Sequence, residues 1–442
     1  MEMEGTSGLE VEMHQPYEKV ATYVERMLES LTPLSNECCI YRVPQKLRKA
    51  KNEAYEPRLL SIGPLHYGKK HLVAMEEQKL RYLQNFRSRF NQKSLKEYVE
   101  IISKMERNIR DSYSESVELS SEDFLTMILV DGCFIIEVIL CSYYPDLRES
   151  NDRIYNKPWL ITDVRRDMTL LENQLPFSLL QILFNLALPE HENDCSFLTF
   201  SIAFFKDCLQ MPEIKSPREM NEFARKISST YEVEHFVDLL RVCQLPSSLR
   251  SSRDQSNKRI NTMIRTATQL REAGVSFELG SKEKPLLDID YRDGVLEIPK
   301  LILADACESL FRNLIAFEQC HYREDTYITD YIYLMDHLIN TTKDVDILVN
   351  KGIIDNWLGD NVAVTDLFNN LLINATLWGR NFYFAGIFEG LNAYCDVPWH
   401  SWKATLRHDY FSSPWRGAST SAAVILLLLT LIQTIFSGMS AK

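Results

Sequence analysis

Apolar positions recur at helical spacing along most of the chain. In YEKVATYVERMLESL, Tyr17, Val20, Ala21, Val24, Met27, Leu28 and Leu31 share one face at the 3.6-residue period, which predicts an amphipathic helix closed by Pro33. HLVAMEEQKLRYLQNFRSRF carries an approximate stripe of Leu72, Met75, Leu80, Leu83 and Phe86 and predicts another. Between them, YEPRLLSIGPLHYG is broken by Pro57, Gly63, Pro64 and Gly68 and reads as an ordered loop. A helix starting at Ser121 has Glu122 and Asp123 in its first turn, where they complement the helix dipole. DMTLLENQLPFSLLQILFNLALP predicts a buried helical segment interrupted at Pro176. Later helices are predicted over SPREMNEFARKI, EVEHFVDLLRVC, RTATQLREAG, SLFRNLIAFEQC, YITDYIYLMDHLIN and VTDLFNNLLINATLWG. Strand signals are confined to VSFEL, LLDIDY and VLEIP, with Arg-Asp-Gly turning between the last two. The pattern is mainly α: a multi-helix globular domain with a small β patch.

Two apolar runs are long enough to cross a bilayer, which takes about 20 residues. FLTMILVDGCFIIEVILCSYY, from Phe124, contains Asp131 and Glu137, and an acid at a helix centre costs about 2.5 to 3.5 kcal/mol on the insertion scale. It is therefore expected inside a soluble domain. From Ala418 to Met439 there is no ionisable side chain, and the ten Leu, Ile, Val and Phe residues between Val424 and Phe436 each gain roughly 0.3 to 0.6 kcal/mol at mid-membrane. This segment, with Ala418, Val424, Leu428, Ile432 and Phe436 along it, is expected to be a C-terminal transmembrane helix and to bring a lipid bilayer as a partner. A wholly buried core helix is the competing structural reading. Lys403, Arg407 and Arg416 precede the span, so the body is expected on the cytosolic side of a single-pass, tail-anchored protein, with the target membrane left open. Asn340 and Asn374 head glycosylation acceptor patterns that would be used only on a lumenal face.

The resulting division is a flexible acidic stretch over residues 1–16, a helical domain over 17–410 and an anchor over 411–442. The Ser/Arg-rich segment 246–259 has a single Leu and reads as an exposed loop between possible lobes 17–245 and 260–410. Composition narrows the function. A net charge of −12 at 442 residues lacks the basic face of a nucleic-acid protein, so no nucleic acid is expected. Ten scattered cysteines without C-x-x-C spacing read as free thiols, and neither a metal nor a cofactor is expected.

Polar residues inside apolar stretches mark the candidate chemistry. Asp131, Asp167, Glu172, Asn173 and Gln174 must be paired or hydrogen-bonded if buried, and Arg166 or its neighbour Arg165 is placed to supply counter-charge. The set is either a polar network fixing how core helices pack or an acid/base pair of carboxylates. No G-x-S-x-G, H-E-x-x-H or G-x-G-x-x-G accompanies it, and His191 in HEND falls in a polar loop. A second candidate is the basic run Arg42, Lys46, Arg48, Lys49 and Lys51, either a solvated helix face or a surface docking on anionic lipid.

Several segments in order resemble one family: CCIYRVPQKLRKAKNEAYEPRLLSIGPLHYG, EEQKLRYL, LVDGCFIIE, DMTLLENQLPF, LREAGVSFE, DGVLEIP, FRNLIAFEQC and DYFSSPWRGASTSAAVILLLLTLIQTIFS. They are similar to the plant proteins of the domain of unknown function 247 family over nearly the whole chain. The resemblance implies a plant protein with a C-terminal membrane segment and no established chemistry. Some grass members are linked to self-incompatibility, so it also implies a recognition or signalling role with a protein partner. The alternative is a membrane-tethered enzyme using the Asp131 and Glu172 region.

Overall fold

The computed structural model describes residues 15–29, 37–188, 195–208, 214–246, 263–377, 382–398 and 414–440. Most of the stretch 1–16 expected to be flexible, His191, nearly all of the segment 246–259 and the basic residues Lys403 and Arg407 lie outside them. The chain divides into two units, Met1–Cys38 and Cys39–Lys442. In the first, α1 (Gln15–Glu29) forms where the apolar stripe predicts it, and its apolar residues are exposed, Tyr17 at 76%.

The second unit is a helical body. Its first half holds α2 (Gln45–Arg48), α3 (Ala74–Arg89), α4 (Leu95–Asp111), α5 (Ser121–Tyr143), α6 (Pro158–Asp167), α7 (Phe177–Ala187), α8 (Phe197–Phe205), α9 (Pro217–Ser228) and α10 (Phe236–Gln244). Serine hydroxyls start several of them by accepting an orphan amide hydrogen: Ser94 from Glu97, Ser120 from Asp123, Ser196 from Thr199 and Ser216 from Glu219. The central element is α5, buried continuously from Met127 to Cys141 and packed by α3, α4, α7 and α8.

The second half begins with α11 (Ala267–Glu272) and a small sheet of β1 (Ser276–Leu279), β2 (Asp290–Arg292) and β3 (Val295–Ile298). β2 and β3 form an antiparallel hairpin whose turn residues Asp293 and Gly294 both have positive φ, 48° and 83°, a geometry matching the twist of paired strands. β1 joins β3 in parallel. Then come β4 (Leu301–Leu303), α12 (Cys307–His321), α13 (Tyr327–Leu338), α14 (Thr342–Asn350), β5 (Ile354–Asn356), α15 (Asn361–Leu371), α16 (Ala385–Cys395) and α17 (Pro414–Ser440). Most buried apolar residues from Cys39 to Leu391 belong to one hydrophobic cluster that runs through both halves.

Four details depart from the periodicity. DMTLLENQLP is not helical: α6 ends at Asp167, and Thr169–Pro176 is a buried turn. Its amides explain the break, since Asn173 Nδ2 donates to the Asp167 carbonyl and Gln174 Nε2 to those of Met168 and Leu170, answering the orphan carbonyls of a helix end. Leu80 is 54% exposed, while Lys79 beside it is wholly buried, because an internal carboxylate claims the ammonium. The α4, α6, α8, α14 and α16 helices lack a counterpart among the predicted ones. The parallel pair β4–β5 was likewise unforeseen, since three-residue strands give too short an alternation to read.

Candidate functional site

The buried polar residues converge on the Gly/Pro-broken segment between α2 and α3. A loop that enters a core brings backbone amides that water no longer serves, and each needs a partner. Asp167 supplies one carboxylate for three of them: Arg58, Leu59 and Leu60 donate to it at 2.7–3.1 Å. Asn173 Oδ1 accepts from Ile62 at 2.7 Å, and its Nδ2 donates to the Leu60 carbonyl. Asp131, reaching across from α5, accepts from Gly63 at 2.9 Å. Gly63 sits at φ 69°, and a Cβ there would meet the Gln174 carbonyl at 2.6 Å, so the close approach depends on glycine. The network is a cradle that solvates an irregular segment from within.

Each carboxylate is neutralised. Lys79 Nζ reaches Asp131 Oδ1 at 2.7 Å and also contacts Glu76. Burial disfavours the ammonium, but Asp131 and Glu76 outweigh it and raise the Lys79 pKa above its ordinary value. Asp167 pairs with Arg166 at 2.9 Å, and Arg166 donates on to the Glu53 and Glu56 carbonyls. Arg165 and Arg166 are therefore not the counter-charge of Asp131. That role belongs to Lys79, which had no signal in the sequence beyond its place in an amphipathic helix.

Glu172 is the second focus. Its carboxylate accepts from the Val43 amide at 2.6 Å and pairs with Arg48 Nη2 at 2.5 Å. His66 Nε2 stands 3.2 Å from Glu172 Oε2. Burial pushes the Glu172 carboxyl up, but His66 and the Arg48 guanidinium outweigh it and hold it below the usual carboxylate range. Glu56, half-buried, closes the ring by pairing with Arg48 at 3.0 Å and Lys69 at 2.6 Å.

The basic run thus divides. Arg48 is buried and belongs to the ion cluster rather than to a surface, because Glu172 gives it a buried partner. Arg42 pairs with Glu115 at 2.8 Å, Lys51 pairs with Glu308, and Lys46 donates to Thr376, while Lys49 is exposed. A matching buried acid in the second half had no sequence signal. Glu318 on α12 pairs with Arg241 of α10 at 2.9 Å and accepts from the Ile328 and Thr329 amides in the first turn of α13. Among the described residues no cluster of His, Cys, Asp and Glu has the makings of a metal site, and all ten cysteines are free thiols.

Acids that are paired with cations and answer the amides of Arg58, Leu59, Leu60 and Gly63 are suited to holding a fold in register. Asp131 and Glu172 are each about 1% exposed and, among the described residues, do not line the three cavities of about 380, 490 and 540 Å³. At the other end of the chain, residues 418–437 of α17 form a helix long and apolar enough to cross a membrane, with Leu428 54% and Phe436 64% exposed.

The chain belongs to DUF247, described as a plant protein of unknown function, which it matches over residues 40–429. It is 32% identical to the UPF0481 protein At3g47200 of Arabidopsis thaliana over 90% of this chain and 85% of that protein. It is 23% identical to the putative UPF0481 protein At3g02645 of the same plant, over 89% of each. No solved structure matches.

Proposed function

We propose that this protein is a membrane-anchored interaction module: a rigid helical body held at a membrane by α17 and presented to a protein partner in recognition or signalling. The observation that carries the anchor is the exposure of α17. A run from Val424 to Phe436 with Leu427 71% exposed forms an apolar surface far longer than a soluble protein leaves to water. Hydrocarbon is the solvent that suits it, and as a helix it satisfies its own backbone hydrogen bonds there. The basic residues Lys403, Arg407 and Arg416 before the span favour a cytosolic body.

The closed cradle supports a scaffolding role for the buried acids over acid/base chemistry, since a working carboxylate needs access to a substrate. The reading is tested in plant cells by extracting membranes with alkaline carbonate and probing Asn340 and Asn374 with endoglycosidase. Both asparagines are exposed, so lumenal placement would leave them open to modification. The full chain should stay in the pellet and remain unglycosylated; release into the supernatant removes the anchor, and sugar on either asparagine reverses the orientation.

A further inference from the structure

The C-terminal half of α5 meets α6, α8 and the start of α9 around a cavity of about 380 Å³. That volume lies toward the small end of small-molecule pockets, which run from roughly 300 to 1,000 Å³. Its walls include Tyr143, Phe200 and Phe204, and its charged residues are Arg165, Lys206, Lys215 and Asp207. Among the described residues, three cations and one acid line it, in a chain whose overall charge is −12.

Arg165 is incompletely satisfied. Its guanidinium lies over the Phe204 ring at 5.0 Å from the centroid, and its nearest acid, Asp207, is 4.0 Å away. Its Nε–H is buried without a hydrogen-bond acceptor among the described residues. A buried donor left open is costly and calls for an acceptor. Glu219 does not provide one, because its carboxylate is engaged by the Lys215 amide and the Ser216 hydroxyl. Aromatic walls with an unsatisfied, planar, fork-shaped cation suit a ligand that is flat at one end and anionic at the other.

We infer that this cavity binds a small aromatic anion, a carboxylate or phosphate monoester, with the charged group on Arg165 and Lys215 and the ring against the half-buried Tyr143, Ile214 and Met220. The site is independent of the anchor and of the partner proposed above. The test is calorimetric titration of the full chain in neutral phosphatidylcholine nanodiscs with 2-naphthoate, 2-naphthyl phosphate and uncharged 2-naphthol, empty nanodiscs giving the partitioning background. One equivalent of either anion should bind, and naphthol about tenfold or more weakly, the worth of a charged hydrogen bond.

Arg165→Met should weaken the anions about tenfold and leave naphthol unchanged. Since Lys206 and Lys215 are exposed, the double variant Lys206→Ala, Lys215→Ala keeps the fold and should weaken the anions about threefold, with the loss shrinking at high salt. Should Arg165→Met fail to fold, the lysine variant decides. Naphthol binding as tightly as the anions, or anion affinity unchanged in the folded variants, overturns the site.

Discussion

α5 and α17 are the two helices long and apolar enough to span a bilayer among the described residues, and they have opposite surroundings. α5 is 89% buried inside the body, whereas none of residues 418–437 of α17 is buried. Apolar content does not separate them. What differs is that α5 carries two acids, and each has a dedicated cation: Asp131 meets Lys79 at 2.7 Å and Glu137 meets Arg89 at 2.8 Å. A helix that spends two positions on carboxylates is written for neighbours that supply counter-charge, and lipid supplies none. A helix with no such positions has no address within the body.

The comparison breaks most sharply at Asp131. Replacing it with alanine leaves the fully buried Lys79 ammonium with Glu76 alone and strands the Gly63 amide, and should lower unfolding free energy by about 3 kcal/mol in urea melts. The paired change Asp131→Leu with Lys79→Met removes both charges and should recover most of that loss. A wild-type melt for Asp131→Ala would show that the acid does not set the packing of α5. Next in size is Gly63→Ala, which combines positive φ with a 2.6 Å approach to the Gln174 carbonyl and should cost at least about 2 kcal/mol in the same assay.

Much of this cradle was legible. Asp131, Asp167, Glu172, Asn173 and Gln174 stand out as polar residues in apolar stretches, and burying them demands partners. Arg48, His66 and Lys79 did not, because long or amphipathic side chains in mixed sequence look the same whether their tips reach water or fold inward. The break after Asp167 was also hidden. Periodicity reports which face is apolar, but it does not report that Asn173 and Gln174 turn back to bond the carbonyls of the preceding helix. The sheet hairpin was visible through Asp293 and Gly294, whose residue types announce positive φ, while β4 and β5 pair only because the fold brings distant segments together.

Titration sharpens the picture of the body. Burial pushes the Asp330 carboxyl up to about 8 and His235 down to about 3, from ordinary values of 3.8 and 6.5. Asp330 therefore contributes fully below pH 3.8, and its contribution is lost as pH rises toward 8; His235 contributes fully above 6.5, and its contribution is lost as pH falls toward 3. Each limb has a slope of up to about 1.4 kcal/mol per pH unit. Asp330→Asn keeps an acceptor for the Tyr383 amide and should flatten the alkaline limb alone, read from urea melts across pH. An unchanged limb would mean that Asp330 ionises freely in the fold.

The smallest expected effect on the body lies in α17. Leu428→Asp should move the melt of the helical body by less than about 0.5 kcal/mol, because Leu428 is 54% exposed and touches no core. The same change should weaken membrane insertion by about 3 kcal/mol, measured as the carbonate-resistant fraction. An acid is thus needed in one long apolar helix and ruinous in the other.

The most direct test is to end the chain after Pro414 and compare the product with the full-length protein in detergent. If α5 belongs to the body and α17 to the bilayer, the shortened chain will be soluble without detergent and will melt in one cooperative transition at the full-length midpoint. Loss of that transition, or a shortened chain that still needs detergent, would show that α17 completes the core and would contradict the account.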